Sequence, residues 1–476
     1  MNPLFSLSPL DGRYQQQTAE LAEIFSESGL NQRRVHIEAA WLLHLAKQDP
    51  IKEHLKLSSS VKNLLEALCS QHINEEQLNS IKKIEETTNH DVKACEYFLR
   101  DLLNSTAKAP PYVISYIHFA CTSEDINNLA YGLSLKEARE KILVPKLNKI
   151  LNTMHNFAEL YAEHPMLART HGQAASPTTV GKEWALFCFR IERKLKIFKQ
   201  IEILGKINGA VGNYNAHHFA FPECDWQDIA RNFVEEQLQL NFNPITTQIE
   251  SHDALAELCQ ALIGINSVFL DLVRDVWGYI SIGYFSQKQN SNEVGSSTMP
   301  HKVNPIDFEN AEGNLGLANS IASHFSQKLP ISRWQRDLSD STVQRSLGVM
   351  LGYSLLAWKS IEKGLGKISI NSELMLQDLN KNPEVLGEAI QTALRKYGVT
   401  DAYERLKQFT RGKTLSKSEL NKFVNDCKEL PASEKKRFLK YETKDYIGLA
   451  PEIARTINAR AVVPKTNATG KILPKK

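Results

Sequence analysis

One long heptad pattern constrains the fold of this chain more than any other feature of its sequence. Between Leu255 and Tyr279, eight apolar residues follow one another at spacings that alternate between three and four. A seam of about 24 residues with this period predicts a single α-helix roughly 40 Å long. A monomer that exposed such a stripe would tend to associate, so the seam also predicts an oligomer. The residues between the two ends are Leu258, Leu262, Ile265, Phe269, Leu272 and Val276.

The distribution of proline indicates that long helices occur through most of the chain. Residues 51–109, 245–299 and 331–382 contain no proline at all. A strand-rich fold would carry turn residues about every ten positions, whereas proline-free stretches of this length suit long helices. The sequence therefore predicts an all-α fold whose centre is a bundle of long helices.

Local start signals predict three helix N-termini. Residues 122–125, Thr-Ser-Glu-Asp, resemble a capping box that begins a helix running through Ala138, and Pro145 is placed to start the next one. Pro177 is expected to open another helix that continues through Ile191. All three expectations rest on residues that satisfy, or do not need, the unpaired N–H groups of the first helical turn.

Breaks in composition divide the sequence into four parts. A proline pair ending at Pro111 and a Gly-Leu-Gly run ending at Gly366 mark two boundaries. The segments 208–222 and 287–305 are rich in glycine and asparagine and are predicted to be functional loops. The predicted parts are an N-terminal helical domain at 1–111, a central long-helix bundle domain at 112–366, a C-terminal helical domain at 367–460 and a flexible basic tail at 461–476.

Charge and cysteine content exclude several classes of protein. The formal charge is +3, and the four lysines after residue 460 account for +4, which leaves the first 460 residues at −1. Such a balance does not provide the basic surface that nucleic-acid binding needs. The seven cysteines form no C-x-x-C motif, which fits a reducing cytoplasm rather than a disulfide framework or a zinc site. Neither a membrane-spanning apolar run nor a secretory signal is evident, so the sequence predicts a cytoplasmic protein.

Two polar segments contain residue types suited to proton transfer or anion binding. His171, in the run 169–173, can donate or accept a proton near neutral pH, although a lone loop histidine is more often a surface residue. Residues 246–253 lead into the heptad helix, whose first N–H groups would favour a carboxylate or phosphate. The alternative is that Ser251 and Asp253 in this segment are only helix caps.

A third segment, residues 295–305, combines glycine, hydroxyl groups and a cation. Ser296 and Ser297 offer the hydroxyls, and the ammonium of Lys302 would favour the ionised form of either one. A polar loop with glycine and serine is normally only a linker. One proline on each side of His-Lys-Val-Asn is unusual in a linker, so a functional loop is the favoured interpretation.

With the residues that follow it, this segment carries a family resemblance. Residues 295–310 resemble the signature loop of the fumarase/aspartase superfamily of helical lyases, and the whole chain is most similar to the adenylosuccinate lyase family. The similarity covers residues from about 4 to 460 and departs from the family at Ala174 and Ser251, where proline is more usual. The other runs that carry it are DGRY at 11–14, TNHDVK at 88–93, HFACTSEDIN at 118–127, THGQ at 170–173 and SRWQRDLSDSTVQR at 332–345.

The resemblance implies a β-elimination in purine biosynthesis, catalysed by a carbon–nitrogen lyase. Enzymes of the family release fumarate from adenylosuccinate, giving AMP, and from succinyl-aminoimidazole-carboxamide ribotide on the route to IMP. By the family's pattern His171 is the general acid and Ser296 the general base, with Lys302 stabilising the serine alkoxide. Ser297 remains an alternative base. The resemblance further implies no cofactor and a homotetramer in which three subunits contribute to each active site.

The resemblance also implies which residues bind the substrate, whose phosphate and two carboxylates require cations and hydroxyls. For the phosphoryl group these are Arg13, Tyr14, Ser341 and Arg345. For the succinyl end they are Thr122, Ser123, Gln248, Lys302, Asn310 and Arg336. The remaining pocket residues are Asn89, His90, Asp91, Lys93 and Asn304.

Other functions remain open on the residues alone. A lyase of the same superfamily acting on argininosuccinate, malate or aspartate would carry the same 295–305 run, although the runs at 89–93 and 341–345 favour a nucleotide. A non-catalytic structural protein on this scaffold is disfavoured because His171, Ser296 and Lys302 are all present.

Two other chemistries are weakly indicated. The Gly-Lys-Thr run at 412–414 suggests a P-loop, but Lys407 stands where that motif requires glycine. The adjacent pairs His217-His218 and His252-Asp253 lack the helical i, i+4 spacing of a histidine metal site. The sequence therefore predicts neither an NTPase nor a metal enzyme.

Overall fold

The computed structural model describes residues 3–288, 299, 302–410 and 415–461, and within them the protein is almost entirely helical. The all-α prediction is confirmed. The α-helices are α1 (Gln15–Phe25), α2 (Glu27–Leu45), α3 (Ile51–His54), α4 (Ser59–Ser70), α5 (Glu75–Thr88), α6 (Asp91–Ser105), α7 (Pro111–Ile114), α8 (Ser123–Ala138), α9 (Val144–Leu160), α10 (Val180–Gln200), α11 (Asn215–Ala220), α12 (Trp226–Asn232), α13 (Asp253–Ser281), α14 (Ile306–Lys328), α15 (Ser339–Gln344), α16 (Leu347–Leu365), α17 (Ser372–Lys381), α18 (Gly387–Lys396), α19 (Ala402–Thr410), α20 (Lys417–Asp426), α21 (Ala432–Leu439) and α22 (Ala450–Ala461).

Short strands form three small two-stranded sheets within the described residues. The first and third sheets are antiparallel, and the second is parallel. In sheet order the pairs are β1 (Pro165–Thr170) with β2 (Gln173–Thr179), β3 (Leu204–Gly205) with β4 (Asn241–Phe242), and β5 (Phe285–Gln287) with β6 (Ile368–Ile370).

Helix α13 confirms the heptad prediction but not the surface expected for its seam. The seven seam residues from Leu255 to Val276 are at most 8% exposed, so the apolar stripe is already buried within a single chain. An exposed seam was therefore the wrong argument for an oligomer. Among the described residues, α13 is also the one helix long and apolar enough to cross a membrane. A buried core helix passes the same test of length and composition, and the seam of α13 is buried.

The predicted capping box at the start of α8 is present. The carboxylate of Asp125 accepts a hydrogen bond from the backbone N–H of Thr122 at 2.8 Å, which satisfies a donor at the helix N-terminus. A π-helical turn at Arg139–Leu143 follows α8, and Pro145 is the second residue of α9. The backbone stays helical from α8 through Val144 into α9, so Pro145 lies inside a continuous helix and does not start a separate one. The π-helical turn before it is the kind of irregularity that accommodates a proline in a helix interior.

The prediction that a helix begins at Pro177 is wrong. Residues 173–179 form strand β2, and α10 begins only at Val180. The ladder between β1 and β2 is irregular between Met166 and Ala168, and Pro177 lies on the partner strand between the paired residues Ala175 and Thr178. A proline at an irregularity removes no regular ladder hydrogen bond, so the strand tolerates it.

The chain forms two compact units, each assembled from three segments. Unit 1 comprises residues 1–147, 194–267 and 311–359, and unit 2 comprises residues 148–193, 268–310 and 360–476. All five boundaries fall inside helices, namely α9, α10, α13, α14 and α16. The division of the sequence at 111, 366 and 460 remains a prediction.

Candidate functional site

In unit 1, the predicted pocket run 89–93 forms the junction between α5 and α6. Asn89 adopts a left-handed backbone conformation that ends α5, and His90 caps α6 by accepting the N–H of Lys93 on its Nδ1 at 3.2 Å. Asp91 is the first residue of α6, where a carboxylate is favoured by the helix dipole. The ammonium of Lys93 contacts the carboxylate of Glu96 at 2.8 Å. The junction therefore presents an imidazole beside a helix N-terminus.

Asp91 joins two guanidinium groups. Its Oδ2 accepts from Arg34 at 2.6 Å and from Arg345 at 2.8 Å. Arg34 is buried, and its other nitrogens donate to the side-chain oxygens of Asn31 and Asn127, both at 2.9 Å. Burial acts to raise the pKa of Asp91, but the two guanidiniums outweigh it and lower the pKa to about 2. Arg345 is thus held by an ionised carboxylate while about half of its side chain stays exposed.

A second guanidinium, that of Arg336, is shared between two of the chain's own side chains. It donates to Oε1 of Gln248 at 3.1 Å and lies 3.0 Å from the carboxylate of Glu124. Gln248 in turn donates to the backbone carbonyl of Ala210 at 2.8 Å. Burial raises the pKa of Glu124, and the positive charge of Arg336 opposes that shift. Two predicted succinyl-binding residues are therefore in direct contact.

The N-termini of α6 and α8 are close to each other. The hydroxyl of Ser123 lies 3.5 Å from Nε2 of His90, at the limit of hydrogen-bond distance. Ser123 is the first residue of α8, so its N–H belongs to a second positive helix end, whereas the N–H of Thr122 already donates to Asp125. This arrangement of hydroxyls, imidazole and helix N-termini suits an anionic group.

A fully buried ion pair lies at the N-terminus of α8. The ammonium of Lys206 lies 2.8 Å from the carboxylate of Asp125, and neither side chain is exposed. Asp125 also accepts the backbone N–H groups of Asn208 and Gly209 at 3.0 and 3.1 Å. The same carboxylate thus fixes the start of α8 and the loop whose Ala210 carbonyl holds Gln248.

The segment before α13 supplies its own carboxylate. Glu250 accepts the backbone N–H of His252 at 2.8 Å, where an exogenous carboxylate or phosphate was expected. His252 is buried, and its Nε2 lies 3.3 Å from Asp340. The other oxygen of Asp340 accepts the N–H of Ser341 at 2.7 Å. Ser341 is therefore positioned by a buried histidine–aspartate pair.

Arg13 and Tyr14 also belong to unit 1, directly before α1. The guanidinium carbon of Arg13 lies 5.9 Å from the centre of the Tyr14 ring, a cation–π distance. Arg13 is exposed and Tyr14 is half-buried.

In unit 2, His171 occupies the tip of a β-hairpin rather than an irregular loop. Strand β1 ends at Thr170 and β2 begins at Gln173, so the connection consists of His171 and Gly172 alone. Both residues have positive φ, 54° and 75°, as a type I′ turn requires. Histidine tolerates this region better than most residues, and the tip leaves its imidazole exposed. Ala174, where the family more often has proline, pairs with Arg169 in this hairpin.

The other predicted residues of unit 2 lie around the signature loop. Ser296 and Ser297 fall outside the described residues, so the choice between them stays a prediction. Lys302 is exposed, and its backbone N–H donates to the carbonyl of Met299 at 3.0 Å. Asn304 is half-buried, and Asn310, on α14, accepts from the hydroxyl of Ser360 at 2.7 Å.

No cluster of three or more histidine, cysteine or acidic side chains capable of holding a metal ion occurs within the described ranges.

Sequence reasoning missed three supporting residues in unit 1. Arg34 lies in the middle of α2, and no local pattern marks an arginine that will be buried beside Asp91. Glu124 was identified only as part of a capping sequence, although it is the partner of Arg336. Lys206 follows a two-residue strand, and no local pattern marks it as the counter-charge of Asp125.

Comparison with known proteins identifies families whose models cover most of the chain. The family described as "Lyase" matches residues 12–319, and the family described as "Adenylosuccinate lyase C-terminal" matches residues 332–447. The chain is 49% identical to the adenylosuccinate lyase of Vibrio cholerae, over 95% of this chain and 99% of that one. It is 48% identical to the adenylosuccinate lyases of Haemophilus influenzae and Escherichia coli strain K12, over 96% and 94% of this chain.

Solved structures show the same fold at low sequence identity. A fumarate lyase from Mesorhizobium sp. BNC1 matches with a TM-score of 0.74 at 18% identity, covering 93% of this chain and 97% of that one. A 3-carboxy-cis,cis-muconate lactonizing enzyme from Pseudomonas putida matches with a TM-score of 0.73 at 20% identity, covering 93% and 96%. The predicted fumarase/aspartase-like architecture is confirmed.

Proposed function

Since this chain belongs to the adenylosuccinate lyase family, we propose that it cleaves adenylosuccinate into AMP and fumarate and acts likewise on succinyl-aminoimidazole-carboxamide ribotide. The observation that carries the proposal is the 48–49% identity to curated adenylosuccinate lyases over at least 94% of the chain. The polar clusters of unit 1 support it, because they gather cations, hydroxyls and helix N-termini suited to a phosphorylated dicarboxylate.

The elimination requires a base and an acid. A base removes the proton from the carbon next to a carboxylate, a carbon–carbon double bond forms as the carbon–nitrogen bond breaks, and an acid protonates the departing nitrogen. We assign the acid to His171, whose side chain is exposed at the hairpin tip. We assign the base to Ser296, with Lys302 stabilising its alkoxide. The electrons of the C–H bond form the double bond and those of the C–N bond leave with the nitrogen, so the reaction needs no oxidant or reductant and the proposal includes no cofactor.

Substrate binding is assigned to the clusters already described. In this proposal the phosphoryl group is bound by Arg345 together with Arg13, Tyr14 and Ser341. Asp91 orients Arg345 before the substrate arrives, and Arg34 keeps Asp91 ionised once the phosphate takes over Arg345. The succinyl carboxylates are assigned to Arg336, Gln248, Thr122, Ser123, Lys302 and Asn310. The rest of the pocket is assigned to Asn89, His90, Lys93 and Asn304.

A direct absorbance assay on purified protein tests the function. Without added metal, adenylosuccinate should yield AMP and fumarate, followed by the absorbance change of the purine ring. Argininosuccinate and malate serve as control substrates, and activity on either with none on adenylosuccinate would refute the proposal. Succinyladenosine, which lacks the phosphate, should show a kcat/KM lower by on the order of 10- to 100-fold, because charge-assisted hydrogen bonds to the phosphate are lost.

We place the reaction in the cytoplasm as part of purine biosynthesis. All seven cysteines are free thiols, which suits a reducing compartment.

A homotetramer with shared active sites is also proposed, on a different surface from the one first expected. Helix α10 presents Leu186, Phe189 and Ile197 along one face, and these side chains are between 38% and 52% exposed. Leu317 on α14 is exposed to a similar degree. Large apolar side chains in a row on long helices favour burial against another copy of the chain.

Subunit complementation distinguishes shared sites from complete ones. A protein carrying His171→Asn and a protein carrying Ser296→Ala should each be inactive. After subunit exchange the mixture should regain activity, up to about one quarter of the wild-type value if the two residues of a site come from different subunits. No recovery in verified mixed tetramers would place both residues of a site in one subunit. A monomer in light scattering would refute the assembly itself.

A further inference from the structure

One carboxylate in unit 2 connects two segments that are distant in sequence. Asp378 lies on α17, and its Oδ2 accepts a hydrogen bond from the guanidinium of Arg169 at 2.8 Å. The same oxygen accepts the hydroxyl of Tyr284, also at 2.8 Å. Neither contact belongs to the candidate binding clusters, and the mechanism assigned above uses none of the three residues.

The first of these segments is the hairpin that carries His171. Arg169 lies in β1, two residues before His171, and pairs across the ladder with Ala174. Only the pair of Thr170 with Gln173 stands between Arg169 and the tip. A two-residue turn leaves no flexible residues between the strands and the tip. Fixing the side chain of Arg169 therefore restricts the direction in which the tip points.

The second segment is the exit from α13. Tyr284 lies in the sequence between the end of α13 and the start of β5, and its side chain is buried. Its carbonyl accepts the N–H of Asn371 at 2.8 Å. Burial raises the pKa of the Tyr284 phenol, and the nearby Asp378 carboxylate raises it further, so the hydroxyl remains a donor at neutral pH. Strand β5 follows immediately and pairs with β6. Beyond β5 the chain continues toward Ser296.

We infer that Asp378 is a positioning residue for the proposed elimination, because it fixes both the hairpin of the acid His171 and the segment through which the chain leaves α13. It touches neither the substrate nor the reacting atoms in this scheme. It acts through Arg169 and Tyr284, because its Oδ2 accepts a hydrogen bond from each of them and so fixes the positions of both side chains. The inference rests on the proposed function, since the acid at the hairpin tip has a role only in that reaction.

The chain contains a matched control for this carboxylate. Glu388, on α18, accepts hydrogen bonds from the hydroxyl of Ser176 and from the hydroxyl of Tyr446, the latter at 2.9 Å. It therefore also joins the hairpin to a tyrosine. Ser176 lies on β2 near its irregularity, however, between the paired residues Ala175 and Thr178 and farther along the ladder from the tip than Arg169.

Four variants separate positioning from general support of the hairpin. Asp378→Ala should lower kcat on adenylosuccinate by about 10²-fold with a much smaller change in KM, because a displaced acid costs turnover rather than binding. Tyr284→Phe removes one hydrogen bond and should lower kcat on the order of 10-fold. Asp378→Asn keeps one acceptor oxygen and should fall between wild type and Asp378→Ala. Glu388→Ala should stay within about twofold of wild type.

Hydrogen–deuterium exchange of residues 168–175 provides a readout that does not depend on activity. Exchange at the tip should rise in Asp378→Ala and stay at the wild-type rate in Glu388→Ala. An Asp378→Ala enzyme with normal kcat and normal exchange would overturn the inference, as would equal losses in Asp378→Ala and Glu388→Ala. If Asp378→Ala does not fold, Tyr284→Phe decides, and an unchanged kcat there overturns it. A wild-type enzyme inactive on adenylosuccinate refutes the proposed function instead, which the absorbance assay shows before any variant is made.

Discussion

Replacing His171 by asparagine is expected to lower kcat on adenylosuccinate by about 10²- to 10⁴-fold, the usual contribution of a general acid. The departing nitrogen would then leave without a proton, while the binding clusters of unit 1 stay intact, so KM should change little. Asparagine is the appropriate substitution because it tolerates the positive φ of residue 171, whereas alanine would strain the turn. Turnover at saturating substrate, with folding checked by circular dichroism, measures the effect. A His171→Asn enzyme with near-normal kcat would assign the proton transfer to another group.

The base assignment is tested in the same assay. Ser296→Ala should lose as much turnover as His171→Asn, and Ser297→Ala should lose less. Lys302→Met should behave like Ser296→Ala, because the alkoxide is no longer favoured without the cation. A reversed order of the two serine variants would move the base by one residue, and full activity in both would exclude a serine base.

Removing the buried ammonium at position 206 is expected to destabilise the protein by about 3–5 kcal/mol. In Lys206→Met the carboxylate of Asp125 stays fully buried and loses its counter-charge, which is the costly way to break an internal ion pair. The double variant Asp125→Asn/Lys206→Met carries neither charge and should recover a large part of the loss. Urea unfolding of both variants measures the difference.

Stability and activity should separate in the double variant. An asparagine at 125 accepts fewer of the N–H groups of Thr122, Asn208 and Gly209 than a carboxylate does, so KM for adenylosuccinate should stay raised after stability returns. Lys82→Met is the control, since its pair with Glu27 is about half exposed and should contribute less than about 1 kcal/mol. A Lys206→Met protein as stable as Lys82→Met would contradict the prediction.

Features that are local or periodic could be predicted from the sequence. The seam of α13 repeats over many residues, and the capping box of α8 needs only two residues three positions apart. Strand β2 could not be predicted in this way, because its stability comes from pairing with β1. Proline is common at the first position of a helix, so Pro177 predicts a helix from the sequence alone. The irregular register of the β1–β2 ladder explains why a strand tolerates it.

The sequence predicted which residues belong to the candidate site but not how they contact one another. The resemblance supplied Asp91 and Arg345, yet their contact joins residues 254 positions apart, which no spacing rule reveals. Arg34 was missed for the same reason, since its contact with Asp91 spans 57 positions. The role of Ser296 remains a prediction, because it lies outside the described residues.

The placement of all five unit boundaries inside helices limits how this protein can be divided. A cut at any boundary would sever a continuous run of backbone hydrogen bonds and, in α13, expose half of a seam that is now buried. Neither unit could then be inherited, exchanged or expressed as a free-standing module. Insertions and fusions are better tolerated at exposed loops, where they interrupt no helical hydrogen bonds.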